Sequence, residues 1–271
     1  MAAVELKREG PVAYREALPD GPTSGPPLVC VHGFPESSLM WEPLLEAAAG
    51  TGRRGLAPDL YRFGDSADFG PATFENSRER FSAWIDELGL ESAVIVVHDW
   101  GGFVGLSWAC DNPDRVAGLV VSDTGFFADG KWHGMAEALR SDQGEALVGS
   151  LDRGGFTGLL NSGGETFSEA EIDAYWEPFA AGRGQAASLE FYRSMDFEKL
   201  GPWQGRLAEI DAPALILWGA EDPFAPLAGA KRFERELADA RLVAIEGAGH
   251  FVFDERRQRC VTEVLAFLAG D

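Results

Sequence analysis

Residues 94 to 102 read Val-Ile-Val-Val-His-Asp-Trp-Gly-Gly. An apolar run of this kind reads as a buried strand, and it stops at one acidic residue followed by a helical pattern. Strand, tight turn and helix together make the geometry of a nucleophile elbow, which presents a single side chain at the edge of a sheet. Gly101 and Gly102 supply the small residues that let neighbouring backbones approach. The residue presented is Asp99. A carboxylate at that point attacks carbon and forms an ester with the substrate's alkyl group, whereas attack on an ester or amide would give a reactive anhydride. The chemistry therefore points to saturated carbon. An Asp after a strand is also a common helix N-cap, accepting hydrogen bonds from first-turn amides, so the nucleophile reading depends on partners elsewhere in the chain.

Outward from this stretch the pattern alternates. Residues 4–9 and 12–18, split by Gly10-Pro11, read as an opening hairpin, and residues 27–31 as a buried strand leading into His32-Gly33-Phe34-Pro35. Helices are expected at 39–49, 74–88 and 102–111, with strands at 54–59, 92–97 and 116–122 between and after them. From about Phe126 to Gly205 no apolar β-run occurs. The segment reads instead as helices rich in Trp, Phe and Tyr, broken at Gly154-Gly155, Gly163-Gly164 and Gly182–Gly184. The earlier rhythm resumes with a strand at 214–218, a helix at 225–238, a strand at 241–245 and a final helix at 252–268. Strand–helix alternation implies an α/β fold with a mostly parallel sheet flanked by helices. The simplest division is a core domain of residues 1–125 and 206–271, interrupted by a helical cap domain of residues 126–205.

Composition limits the function classes. The chain has 271 residues, 45% hydrophobic, with 23 basic and 44 acidic residues and a formal net charge of -21. Such a surface repels nucleic acid and anionic membranes and disfavours anionic substrates, which leaves a neutral small molecule as the expected partner. No apolar run approaches the roughly 20 residues that cross a bilayer, and the N-terminus lacks a basic segment followed by an apolar one, so a cytoplasmic location is expected. The three cysteines, Cys30, Cys110 and Cys260, form no metal or redox spacing and read as inert buried thiols. The histidines, His32, His98, His133 and His250, lack the pairing a zinc site needs. No metal and no cofactor are expected, and the oligomeric state is left open.

A nucleophilic carboxylate needs a base to activate the water that cleaves its ester, and the base needs an orienting acid. Asp222 follows the strand ending Leu217-Trp218-Gly219, and His250 follows the last strand in Glu246-Gly247-Ala248-Gly249-His250-Phe251. Loops at the C-terminal ends of parallel strands gather on one edge, so Asp99, Asp222 and His250 should meet there in the order nucleophile, acid, histidine. A structural histidine and a helix-capping Asp222, with Glu221 as a rival acid, are the plainer alternatives. The backbone N–H groups of Phe34 and Trp100 are placed to form an oxyanion hole. No Gly-x-Ser-x-Gly occurs, and Ser66 in Gly64-Asp65-Ser66 does not directly follow a buried strand.

These motifs, His32 to Pro35, Asp59 with Gly64-Asp65-Ser66, His98 to Gly102, Asp222 and Gly249-His250-Phe251, give the chain a specific likeness. It resembles the α/β-hydrolase superfamily, in the aspartate-nucleophile branch that contains the epoxide hydrolases and haloalkane dehalogenases. The resemblance implies the α/β-hydrolase fold with a helical cap, and hydrolysis through an ester on Asp99. His-Gly-Phe-Pro resembles epoxide hydrolases, as does Phe191-Tyr192-Arg193, whose Tyr192 matches the cap tyrosine that protonates the epoxide oxygen. Such enzymes employ a second cap tyrosine or a histidine, for which Tyr175 and His133 are the available residues. The stretch from Ser168 to Phe179 and Gly-His-Phe resemble haloalkane dehalogenases instead. There the indole of Trp100 would hold a halide with a second donor from Trp132, Trp176 or Trp203, since Phe34 occupies the place of an asparagine. Packing is the alternative role for each of these cap aromatics. The expected function is an epoxide hydrolase giving a vicinal diol, with haloalkane dehalogenase as the second reading. A non-catalytic ligand-binding homologue is a third, disfavoured by the complete set Asp99, Asp222 and His250.

Overall fold

The computed structural model describes residues 2–67, 70–164 and 166–270. Eight strands form one sheet: β1 (Val4–Glu9), β2 (Val12–Ala17), β3 (Leu28–Val31), β4 (Gly55–Pro58), β5 (Ala93–His98), β6 (Val116–Ser122), β7 (Ala214–Gly219) and β8 (Ala240–Ile245). Their order across the sheet is β1-β2-β4-β3-β5-β6-β7-β8. The first two pairings are antiparallel, and from β4 onward every neighbour runs parallel. Strands β3, β5 and β7 are buried along their whole length, which is why they read as continuous apolar runs.

Helices cover both faces. They are α1 (Glu42–Gly50), α2 (Phe74–Glu87), α3 (Trp100–Asp111), α4 (Gly134–Arg140), α5 (Gly144–Ser150), α6 (Arg153–Leu160), α7 (Glu169–Ala180), α8 (Arg183–Ser194), α9 (Leu227–Glu236), α10 (Val252–Glu255) and α11 (Arg257–Ala269). Because successive side chains of a strand point to opposite faces, Val29, Val31, Ile95 and Val97 pack with Phe81, Trp84, Trp100 and Phe233 of α2, α3 and α9. Leu28, Cys30, Val94 and Val96 pack on the other face with Leu44, Leu45, Phe253 and Val264 of α1, α10 and α11. All three cysteines are buried free thiols. Burial raises each of them, Cys110 to about 12.

Between β6 and β7 the described elements are all helical: α4 to α8 with short 3-10 turns. Helix α8 ties this insert to the sheet side. Glu190 accepts from the Arg62 guanidinium at 2.9 Å and from the buried Ala72 amide at 2.6 Å, and Ser194 Oγ accepts from the Phe74 amide that opens α2 at 2.8 Å. Several boundaries differ from the sequence expectation. The helix expected at 39–49 is a 3-10 turn, Ser38–Trp41, followed by α1, whose first turn carries Pro43, where a missing N–H costs nothing. Gly154 and Gly155 do not break a helix; they lie in the first turn of α6, after the N-cap Asp152, whose side chain accepts from Gly155 N–H. The helix expected at 225–238 is α9, entered from Pro226 and ended by an extended Leu237. The final helix is interrupted at Arg256, whose guanidinium is drawn to the carbonyl of Gly247. Among the described residues no helix is long and apolar enough to cross a membrane.

Candidate active site

The chain reaches Asp99 from β5 with φ 45° and ψ -118°, a positive φ that a side chain adopts only under strain, and turns at once into α3. Small neighbours make the turn possible. A Cβ on Gly33 would lie 2.4 Å from that of Asp99, and one on Gly101 would lie 2.1 Å from the Val31 carbonyl oxygen. The helix-cap alternative fails on inspection. Asp99 stands at the N-cap position of α3, yet its side chain makes no capping bond. Its Oδ1 instead accepts the Phe34 N–H at 2.7 Å, and Thr124 Oγ1 donates to its carbonyl at 2.6 Å. Trp100 opens α3, so its N–H belongs to the first turn, where no carbonyl of the helix can accept it.

His250, from the loop after β8, places Nε2 3.6 Å from Asp99 Oδ2, and its Nδ1 is 2.8 Å from Asp222 Oδ2. Asp222 Oδ1 accepts the amides of Phe224 and Ala225 at 2.7 and 3.0 Å, which fixes the carboxylate. Glu221 is turned away and accepts the Gly247 amide, so the two acids divide: Asp222 holds the histidine and Glu221 the loop that carries it. Burial opposes a charge on any of the three. For His250 it is outweighed by Asp222 and Asp99, which raise the imidazole well above its ordinary value. For Asp99 burial is outweighed by His250 and the Phe34 amide, and for Asp222 by His250 and the two amides, so both carboxyls stay low. The two carboxylates flank the imidazole and favour its charged form.

A narrow cavity in front of Asp99 is lined by Phe34, His133, Met135, Leu159, Tyr192, Phe224, His250 and Phe251. Tyr192 is buried, packed edge-on against Trp100 at 4.8 Å between ring centroids, and burial with the Asp99 charge keeps its phenol protonated. His133 caps α4, its Nδ1 accepting the Ala136 N–H at 3.4 Å. Burial keeps that imidazole neutral, and with Nδ1 accepting, the proton sits on Nε2. Trp132 packs against Tyr192 at 5.3 Å, and its indole N–H and that of Trp100 are buried without an acceptor.

Other expected site residues are placed elsewhere. Tyr175 does not line this cavity; its phenol lies among Asp254, Glu36, Glu171 and Arg257, because α7 turns that face toward the start of α10. Trp176 stacks on Phe179 with an interplanar angle of 6°, and Trp203 donates its indole N–H to Asp111, so both are structural. Ser66 is also structural: its Oγ accepts from Ala13 N–H and donates to the Asp59 carbonyl, while the Asp59 carboxylate accepts the amides of Ser38 and Asp65. Sequence reasoning missed Asp123. It directly follows β6 with φ 43°, accepts the Gly219 amide at 2.9 Å, and is pushed well above the usual carboxyl range by burial and by Asp222. As a neutral acid it joins the ends of β6 and β7 without adding a third anion beside His250. Its position after an apolar strand at the same sheet edge as Asp99 was the available signal. Among the described residues no group of three or more His, Cys, Asp or Glu side chains is placed to hold a metal ion.

The alpha/beta hydrolase fold family matches residues 26–257. The chain belongs to that family. A haloalkane dehalogenase of Sphingobium indicum is 29% identical over 269 residues, covering 90% of this chain and 89% of that one. Among solved structures, the haloalkane dehalogenase DbeA from Bradyrhizobium elkani USDA94 superposes with a TM-score of 0.85 at 23% identity, covering 100% of this chain and 98% of the other. The epoxide hydrolase VrEH1 from Vigna radiata superposes with a TM-score of 0.79 at 21% identity over the same shares. In this hydrolase family the sheet edge with Asp99, Asp222 and His250 is the place to look for chemistry.

Proposed function

We propose that the protein is an epoxide hydrolase acting on neutral substrates through an alkyl ester on Asp99. The observation that carries this reading is the pairing of a neutral Tyr192 phenol and a neutral His133, its proton on Nε2, across the cavity that Asp99 faces. Both are donors that carry no charge into an apolar cavity, which suits an alkoxide leaving group. Asp99 Oδ2 attacks the epoxide carbon, the ring C–O bond breaks, and Tyr192 gives its proton to the departing oxygen. The phenolate is then reprotonated at the expense of the His250 imidazolium. That transfer is favoured because esterification removes one of the two carboxylates that hold the imidazolium charged. His250 thereby becomes a base only after the ester exists. It takes a proton from water, the hydroxide adds to the Asp99 carboxyl carbon, and the oxyanion on Oδ1 lies against the Phe34 and Trp100 amides. Collapse releases the diol with the second proton of that water, and restores Asp99, the imidazolium and the phenol.

A second reading is haloalkane dehalogenation. It is favoured by the two unpaired indole N–H groups of Trp100 and Trp132, which could hold a halide, and by the name of the Sphingobium relative. Incubation with an aryl epoxide and, separately, a bromoalkane separates the two: diol from the first is expected, and bromide without diol would overturn the proposal. In either case the His250→Phe variant should form the ester and stop. Intact-protein mass spectrometry should then find one substrate-sized adduct on Asp99, and a substrate turned over by the wild type that leaves no adduct would refute covalent catalysis.

A further inference from the structure

The space in front of Asp99 is about 10 Å3, room for a water and for no organic substrate. Beside it lies a second cavity of about 470 Å3, within the range of roughly 300–1,000 Å3 that small-molecule sites occupy. This chamber is enclosed by Leu139 of α4, Leu147 and Val148 of α5, Gly155 of α6 and Phe179 of α7. None of the described residues that line it carries a polar or charged side chain. Leu147 is 40% exposed, so the chamber reaches the surface at α5.

Phe34, Met135 and Leu159 line both spaces and stand between them. Phe34 is held in place: its ring packs on those of Trp100 at 5.0 Å and Tyr192 at 5.6 Å, and its amide is bonded to Asp99. Met135, in the first turn of α4, and Leu159, in the last turn of α6, are only half-buried. An unbranched thioether with three rotatable bonds adapts its shape readily, so the partition yields at Met135, against Leu159. A chain of methylenes fits such a passage, whereas branching beside the reacting carbon meets both side chains. A polar group left in the chamber would lose its water without gaining a partner.

We propose that the substrate carries one extended, unbranched apolar substituent, which lies in the chamber between α4, α5 and α6, and that Met135 and Leu159 are the specificity-determining residues that admit its reactive end to Asp99. The inference rests on the reading of Asp99 as nucleophile. It deepens that reading by naming the shape of the substrate and the two side chains that select it.

The first test needs no turnover. Binding of unreactive primary alkanols, from butanol to decanol, is followed by calorimetry, and affinity is expected to rise about fourfold for each added CH2 until the chamber is full. Ala138→Phe, which takes up chamber volume away from Asp99, should weaken decanol roughly tenfold, the worth of about two methylenes, and butanol much less. Affinity independent of chain length, or an equal rise in Ala138→Phe, overturns the chamber. The second test compares kcat/KM for a linear substrate with that for one branched beside the reacting carbon, using whichever epoxide or bromoalkane the wild type turns over. Leu159→Ala is expected to shift this ratio about tenfold toward the branched substrate, and an unchanged ratio overturns the role of the partition. If Leu159→Ala does not fold, Met135→Ala is read in the same way with the same outcomes. The failures are distinguishable: no adduct in His250→Phe sinks the nucleophile reading, whereas an adduct there with alkanol affinity flat in chain length sinks only the chamber.

Discussion

At the residue scale, the charge state of His250 depends on Asp99 more directly than on anything else that the reaction changes. Burial would discharge the imidazole, and Asp222 and Asp99 together reverse that. Replacing Asp99 by Asn removes one anion while keeping an oxygen for the Phe34 amide, so the His250 pKa should fall. The sign for stability follows by linkage. A histidine raised in the folded state contributes stability in full below its unfolded value of about 6.5, and loses it as pH rises through the folded value. The carboxyls of Asp99 and Asp222, lowered in the folded state, contribute above their unfolded value and lose it as pH falls. Wild-type stability should therefore decline as pH rises through the raised His250 value, and in Asp99→Asn that decline should begin at lower pH. Imidazole NMR titration with denaturation at each pH checks both; an unmoved His250 resonance would contradict the ion triad.

At the element scale, the elbow is the most constrained feature. A Cβ on Gly101 would overlap the Val31 carbonyl, which is backbone and paired within the sheet. Gly101→Ala is expected to destabilise the fold by about 3 kcal/mol, the upper range for overpacking, read by chemical denaturation, and a change near zero would mean that β3 and α3 can separate at little cost. The elements themselves were mostly legible in the sequence. Strands β3, β5, β6 and β7 stand out because burial on both faces makes them apolar throughout, and the order Asp99, Asp222, His250 follows from sheet topology. Three things were not legible. The break at Arg256 depends on a contact with Gly247, distant in the chain. Gly154-Gly155 resemble a helix breaker, but tertiary packing of Phe156 and Leu160 supports the helix around them. Tyr175 carries the right chemistry, but which face of α7 meets the cavity is set by docking, not by spacing.

At the scale of the whole molecule, the helical insert meets the sheet through a few polar ties as well as apolar packing. Glu190 is the principal one, since it satisfies both Arg62 and the amide of Ala72, a residue only 2% exposed. Glu190→Ala leaves that amide without its acceptor and should cost about 2 kcal/mol, measured by denaturation. Hydrogen exchange is expected to rise in α8 and at the start of α2 before it rises in the central strands. Uniform exchange across the molecule would mean that insert and sheet open as one unit.

The two halves of the proposed chemistry reside in different parts of the chain. Asp99, Asp222, His250 and the Phe34 amide are anchored to the sheet, whereas Tyr192, His133 and Trp132 all arrive from the segment between β6 and β7. Inheritance can therefore act on them separately. Mutation in the insert can change the groups that meet the leaving atom while Asp99, Asp222, His250 and the Phe34 amide stay in place on the sheet.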